Sequence, residues 1–410
     1  MYSKKPVILV SILIGLTIAS WIGTYWVNLR ISQPGLSGKG FLNTWMAARY
    51  WLIEGVSPYD EKVNLAIQIA SYGHPADLSQ GETKLNFRDP LPLLFFIAPF
   101  GLIQFPNAVA GWMSLIEVCL IALVIVGIKL ADWDKLQWEY LLAFCLFGVL
   151  SFPAMANILE SQPGILSVVL IFLTILLIHQ KGDILAGISL ALSLVKPALA
   201  ILFVVYTIIW AASSHRKDII WGFIGGGTII LGISLLFLND WLIQLFRQVI
   251  TNPQPYTSLI NLISSATPGI KRQLNFILYL GSAGILIFEW VRSLKPNDRN
   301  YLWTAYFTIT LSFFLMPIAQ ISNTILLIPI LIIIFKVLAE RWRMVGQGLI
   351  WLILGILGIG IWLIVLYHPG AFDQVNLIFP IFVLLGLWWT RWWVLNPPRL
   401  LLDEIGNKLS

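Results

Sequence analysis

The chain has 410 residues, 58% of them hydrophobic and 11% charged, with a mean hydropathy of +0.83. A soluble domain carries about 25% charged residues, and no soluble core of this length could bury so much apolar surface, so a water-soluble globular protein is excluded. The apolar segments are continuous rather than alternating, which excludes a transmembrane barrel and leaves an all-α, polytopic membrane protein. The 26 basic and 20 acidic residues give a net charge of +6. That excess reads as positively charged loops flanking the membrane, not as a nucleic-acid surface.

Residues 6–28 follow Lys4 and Lys5. The apolar run is long for a secretory leader and no small-residue cleavage site follows it, so the sequence predicts a retained first helix. A long polar loop, 29–90, comes next. Within it, residues 41–55 place Trp45, Ala48, Trp51 and Leu52 at helical spacing, with aromatic rings suited to an interface. Ser57-Pro58-Tyr59-Asp60 reads as a turn and a helix start with Asp60 as N-cap, and a second amphipathic helix is expected over about Glu61–Tyr72. Residues 91–103 form an apolar helix between prolines. At about 1.5 Å per residue it is too short to cross, so it is expected to be re-entrant or to lie on the membrane surface.

Further spans are predicted near 107–129, 138–156, 162–179, 183–195, 197–212, 218–238, 273–293, 299–317, 323–339, 345–367 and 376–396, about twelve in all with the first. Segments 183–195 and 197–212 are short and meet at Lys196-Pro197. Short helices of this kind are tolerated where protein or a water-filled cavity covers their ends. A second polar loop, 239–272, is rich in Asn, Pro and Ser over 252–267. Cys119 and Cys145 fall inside spans and suggest neither a disulfide nor a metal site. Residues 1–410 read as one integral membrane domain.

If the spans alternate, Lys4/Lys5, Lys129/Lys135, Lys181, Arg216/Lys217, Arg292/Lys295/Arg299, Arg341/Arg343 and Arg391/Arg399 share one face. The bias of Lys and Arg in short loops makes that face cytoplasmic. Both termini are then expected in the cytoplasm and both long loops outside, in a plasma (inner) membrane. No internal repeat is visible, which argues against the inverted-repeat transporters.

The outer face collects the polar groups able to do chemistry. Lys196, Arg88, Lys271 and Arg272 could hold a phosphate near the lipid surface. Asp89, Asp60, Glu54 and Glu160 could deprotonate an acceptor hydroxyl. Gln162, Gln320 and Asn323 stand at neighbouring turns. Each has a plainer reading: Asp60 as a helix cap, Arg88 and Asp89 as a local ion pair, Glu160 as a solvated turn residue. Lys196 is harder to dismiss, because a lone Lys between two apolar helices is costly unless paired or wet. Glu117, mid-span, reads as a structural carboxyl hydrogen-bonded to a neighbouring helix. The four histidines are scattered, so no metal and no cofactor is expected.

The order of these features resembles glycosyltransferase family 87, the polyprenyl-phosphate-sugar-dependent, alpha-mannosyltransferase-like group of the GT-C fold. The resemblance is carried by Phe41-Leu42-Asn43-Thr44-Trp45-Met46-Ala47-Ala48-Arg49 with Glu54-Gly55-Val56-Ser57-Pro58-Tyr59-Asp60, and by Asn86-Phe87-Arg88-Asp89-Pro90-Leu91-Pro92 through Pro99-Phe100-Gly101-Leu102. It continues in Glu160-Ser161-Gln162-Pro163 and in Asp183-Ile184-Leu185-Ala186-Gly187 through Lys196-Pro197. A weaker match is Leu315-Met316-Pro317 through Asn323 to Pro329. Together these cover most of residues 7–340. The resemblance implies a GT-C-like membrane enzyme. It would move a mannose-like hexose from a polyprenyl-phosphate donor to a lipid or glycan acceptor on the outer face, with inversion.

Two positions depart from the family. Gly40 stands where members usually carry the Asp expected to be the catalytic base, and Asn323 stands where many carry another Asp. The site implied for this chain therefore uses Asp89 as base, with Asp60 behind it. Lys196 and Arg88 hold the donor phosphate, supported by Lys271 and Arg272, and Glu160, Gln162 and Asn323 line the sugar pocket. The departures also raise a rival, a catalytically degenerate binding member of an envelope assembly; a transporter of lipid-linked glycans is a third reading, disfavoured by the missing repeat and the lopsided outer loop.

Overall fold

The structure, a computed structural model, describes residues 5–32, 37–133, 136–251, 258–294, 298–368 and 372–395. Lys4, Lys135, Lys295, Arg399 and the C-terminal tail, which the charge argument used, lie outside them, as does 252–257 of the second outer loop. The described residues are helical and contain no strand. In chain order the helices are α1 (Lys5–Ile31), α2 (Lys39–Arg49), α3 (Glu61–Tyr72), α4 (Leu91–Gly101), α5 (Phe105–Leu130), α6 (Trp138–Leu150), α7 (Phe152–Glu160), α8 (Ile165–His179) and α9 (Asp183–Leu192). They continue with α10 (Pro197–Ser213), α11 (Lys217–Phe237), α12 (Trp241–Thr251), α13 (Leu259–Ser265), α14 (Lys271–Ser293), α15 (Asp298–Leu315), α16 (Ile328–Leu354), α17 (Ile361–Tyr367) and α18 (Phe372–Leu395).

Six helical stretches of the described residues are long and apolar enough to cross a bilayer, and the bent pair α6–α7 makes a seventh. The sequence predicts one span over 138–156, but the chain bends by 45° between α6 and α7. Pro153 sits in the first turn of α7, where its missing N–H breaks no helical bond. A loop is expected around Arg341 and Arg343, yet α16 stays helical through it. The carbonyl of Leu338 nevertheless lies against Gly346, eight residues on. A straight helix would hold those residues about 12 Å apart, so the chain doubles back there and the two stretches Ile321–Trp342 and Met344–Tyr367 remain separate.

The short helix α9 is held by direct backbone contact with α11. A Cβ on Gly187 would overlap the Ile219 carbonyl, and one on Gly222 would overlap that of Ile184. Gly226, one turn further, closes against Ile188. Small residues four apart are how apolar helices approach closely in a medium that gives no hydrophobic drive between them. From this crossing, α9 runs through a turn of 3-10 helix, Ser193–Val195, to Lys196, and α10 leaves with Pro197 in its first turn.

Side-chain bonds sort the helix ends into two sets. In one, Arg216 holds Asp183 and the Ile178 carbonyl, His179 faces Asp132 at 3.4 Å, and Arg391 donates Nε to Glu289 at 3.0 Å. In the other, the Gly38 amide donates to the Leu159 carbonyl (2.8 Å), Asn157 to the Ser322 carbonyl (2.9 Å), and Lys196 meets Asp89. Helices α8 and α10 run from the second set to the first.

The first polar loop packs over the second set. Asp60 caps α3 as the sequence predicts, accepting from the Lys62 amide at 2.8 Å. Helix α2 ends in a π-turn, Tyr50–Glu54, closed by Gly55 at φ +65°. Trp45 and Arg49 of α2 donate to the Phe100 and Gly101 carbonyls at 3.0 and 3.3 Å, which satisfies the open end of α4. The ring of Phe41 stacks on Trp112 of α5 at 5.2 Å. The second polar loop, expected over 239–272, instead contains α12 and α13.

Candidate functional site

Asp89 sits two residues before α4 and Lys196 at the break between α9 and α10. They are 107 residues apart, and the fold joins them: the Lys196 ammonium lies 2.8 and 3.0 Å from the two carboxylate oxygens of Asp89. Their side chains are 28% and 18% exposed, so the pair is neither dry nor freely solvated. The sequence suggested that Asp89 pairs with its neighbour Arg88. Instead Lys196 takes both oxygens, while Arg88 Nη2 donates to the Val249 carbonyl of α12 at 3.2 Å. Tyr59 fixes the backbone here by donating its hydroxyl to the Asp89 carbonyl at 2.8 Å. Burial first, and then the Asp89 charge, raise the phenol's pKa far above its ordinary value, so it stays a donor.

The turn after α7 forms the adjoining part. Ser161 adopts the left-handed conformation (φ 55°) and the Gln162 amide donates to the Asn157 carbonyl. This folds Gln162 back so that its Nε2 donates to Glu160 Oε2 at 2.9 Å. Gly40 closes on the same turn. A Cβ there would come within 2.7 Å of Gln162 Nε2 and 2.8 Å of the Glu160 carbonyl oxygen. The glycine is thus required by packing, which the sequence could not reveal. Gly164 then faces both sides. Its Cβ position lies 3.2 Å from Leu199, one turn into α10, and 4.0 Å from Asn323 Oδ1, while the Asn323 amide donates to the Ile318 carbonyl.

Asp89, Lys196, Glu160, Gln162 and Asn323 therefore belong to one connected region, with Arg88 at its edge. Asp60 does not join it: its carboxylate is the cap of α3 and is exposed. Glu54 is bridged to Lys62 at 2.6 Å. Lys271 and Arg272 open α14 as exposed residues, and no bond joins them to this region among the described residues. Glu117 accepts from Asn28 Nδ2 of α1 at 3.0 Å, the interhelical bond expected for it. Sequence reasoning missed Tyr59 and Asn157 as holders of the site; the Pro58-Tyr59-Asp60 turn pointed only to the cap.

The helices α4, α8 and α10 all begin at this region. Their positive dipole ends favour an anion there, although prolines and bonds such as that from the Leu199 amide to the Lys196 carbonyl take up several of their first N–H positions. The arrangement thus offers an ammonium, several helix N-termini and carboxylates: groups that can hold a phosphate and take a proton.

No curated protein and no solved structure matches the chain. The pattern of glycosyltransferase family 87 matches residues 87–319. The match takes in Arg88, Asp89, Glu160, Gln162, Lys196, Lys271 and Arg272, and leaves out Gly40, Asp60 and Asn323. With a matched stretch that starts at Phe87, covers more than half of the 410 residues and carries both halves of the Asp89–Lys196 pair, the chain belongs to glycosyltransferase family 87.

Proposed function

We propose that this membrane glycosyltransferase moves a mannose-like hexose from a polyprenyl-phosphate donor to a lipid or glycan acceptor, with inversion, at the face where Asp89 and Lys196 meet. The observation that carries the reading is the Asp89–Lys196 pair set among the N-termini of α4, α8 and α10. Lys196 holds the donor phosphate, and Asp89 accepts the proton of the acceptor hydroxyl. The acceptor oxygen attacks the anomeric carbon as the bond to phosphate breaks. The two events are electrostatically coupled. As Asp89 is neutralised by the proton, the full charge of Lys196 turns to the phosphate, which is gaining negative charge as it leaves. Glu160 and Gln162 face the sugar.

We place this face outside the plasma membrane, with both termini cytoplasmic, in a GT-C-like arrangement of about twelve crossings counting the shorter apolar helices. The clustering of Arg216, Arg391 and their partners at the opposite helix ends supports that orientation. A cysteine at exposed Ser79 should react with an impermeant reagent on intact cells, and protection there would invert the topology. Any side chain at position 40 would press on the Glu160 carbonyl, so the catalytic reading rests on Asp89 and not on that position.

The direct test is purified protein in lipid nanodiscs with radiolabelled polyprenyl-phosphate hexose and an extract of envelope lipids and glycans. Transfer is expected, and it should be lost in Asp89→Asn. Tight donor binding with no transfer to any acceptor would overturn the catalytic reading.

A further inference from the structure

Helix α12 has its polarity inside out. The positions turned toward the protein are Trp241, Gln244, Leu245 and Gln248, one stripe at helical spacing: Trp241 is 4% and Gln248 7% exposed. This inward stripe carries the polar bonds. Gln244 Oε1 accepts from Ser57 Oγ at 2.6 Å, and Gln248 Nε2 donates to Asn64 Oδ1 at 2.8 Å. The opposite stripe is apolar and bare: Ile243 is 65%, Phe246 63% and Ile250 76% exposed, with exposed Arg247 and Thr251 along one edge. A helix on the surface of a water-soluble body turns the other way, apolar side inward.

The helix has little room to lie elsewhere than at the bilayer edge. It starts four residues after Phe237, the end of the apolar stretch Lys217–Phe237, and that connection reaches at most about 14 Å. The last residues of α11 are bare as well, with Leu236 88% and Phe237 63% exposed. The apolar surface of the span thus continues directly onto the outward face of α12. An amphipathic helix with apolar residues on one side and a basic residue at the border is the form that lies in the headgroup–acyl boundary.

We propose that α12 is an interfacial anchor: its Ile243–Phe246–Ile250 face is covered by phospholipid acyl chains, and its inner face moors the first polar loop to the membrane surface. The mooring points are Ser57 and Asn64, with Arg88 on the Val249 carbonyl. Arg88 adjoins Asp89, so the lipid surface and the Asp89–Lys196 pair are linked by one helix. The assignment stands on the membrane character of the chain and not on the transfer chemistry, so each can fail without the other.

The test places single cysteines at 243, 246 and 250 in a Cys119→Ala, Cys145→Ala background, spin-labels the full chain and reconstitutes it in phosphatidylcholine–phosphatidylglycerol vesicles. Collisions with apolar molecular oxygen and with a water-soluble nickel chelate are compared, with a label at Ser79 as the aqueous reference. At 243, 246 and 250 oxygen is expected to dominate, and at 79 the nickel chelate. Nickel access at the three positions equal to that at 79 would overturn the proposal in favour of a solvated helix. Exclusion of both reagents would overturn it in favour of a protein cover, such as a second copy of the chain.

Discussion

Replacing Asp89 by Asn keeps the outline of the side chain that Lys196 grips at 2.8 and 3.0 Å and removes its charge and basicity. Exposed ion pairs contribute about 0–1 kcal/mol, and removing one partner of a fully buried pair costs about 3–5 kcal/mol. With side chains 28% and 18% exposed, this pair falls between, and a coupling of about 2 kcal/mol is expected. Turnover in Asp89→Asn should drop by roughly 10²–10⁴-fold, the usual share of a general base. Donor affinity should hold or tighten, because the ammonium is released to the phosphate. Lys196→Met acts in the opposite way. It removes a charge-assisted bond worth roughly 1.5–3 kcal/mol, so donor affinity should fall about tenfold or more, and it leaves Asp89 half-buried without its cation, lowering thermal stability. In the double variant that stability should return while donor affinity should not. Thermal unfolding in detergent, equilibrium binding of labelled donor and single-turnover transfer read the three quantities separately. If donor affinity returns with stability, Lys196 acts through the fold alone. If Asp89→Asn turns over at the wild-type rate, Asp89 is not the base and Glu160, the other carboxylate of the region, inherits the role.

Gly40→Ala should destabilise by about 1–3 kcal/mol, the usual cost of overpacking, because its Cβ meets the Glu160 carbonyl at 2.8 Å. Gly225→Ala, with nothing within 4 Å, should be neutral or slightly stabilising by comparison in the same thermal assay. Gly40→Asp should for the same reason lose stability rather than gain activity, and a more active, equally stable Gly40→Asp protein would contradict the packing described. Tyr59→Phe should cost about 0.5–1.5 kcal/mol for the lost bond to the Asp89 carbonyl. The raised phenol pKa in the folded chain means that the unfolded chain ionises first. The wild-type stability due to this group should therefore be complete below about pH 10 and fall above it, and Tyr59→Phe should flatten that alkaline loss. Glu117→Gln keeps an oxygen for the Asn28 amide and should change transfer by less than about twofold and stability by less than about 1 kcal/mol; a dead but folded variant would give Glu117 a catalytic part.

Local chemistry was legible in the sequence and long-range chemistry was not. The cap at Asp60, the helix Glu61–Tyr72 and the proline-bounded helix α4 follow from signals within a few residues of each other, and all appear as expected. So does the break at Lys196, since a Lys-Pro pair between two apolar runs stops a helix. The partner of Asp89 could not be read, because adjacency in sequence pointed to Arg88 and the true partner lies 107 residues away. Helix α12 was hidden for another reason. Its apolar and polar residues do have helical spacing, but they sit among Asn and Pro in a segment bounded by spans, and an inward polar face resembles a loop when only composition is weighed. The bend at Ser151 was marked by Pro153 and was overridden by the even hydropathy around it.

A bilayer protein pays heavily for every interrupted helix, since the backbone groups left open have no water to turn to in hydrocarbon. Here the interruptions coincide. The chain breaks before α4, before α8 and before α10, and contacts through Leu199, Gly164 and the Asp89–Lys196 pair bring those three breaks together. Three separate accidents would each need their own protein cover, whereas gathered breaks can share one polar environment. At these breaks the N-termini of α4, α8 and α10 meet the C-terminal ends of α7 and of the turn Ser193–Val195, so their dipoles partly offset, and the fixed charge is that of Lys196 and Arg88 set against Asp89 and Glu160. A neutral sugar alone would not call for a part-buried ammonium, whereas a donor phosphate would. On the proposed reading, an anionic group that arrives from the lipid phase with a sugar attached engages Lys196, and Asp89 takes the proton of the attacking hydroxyl.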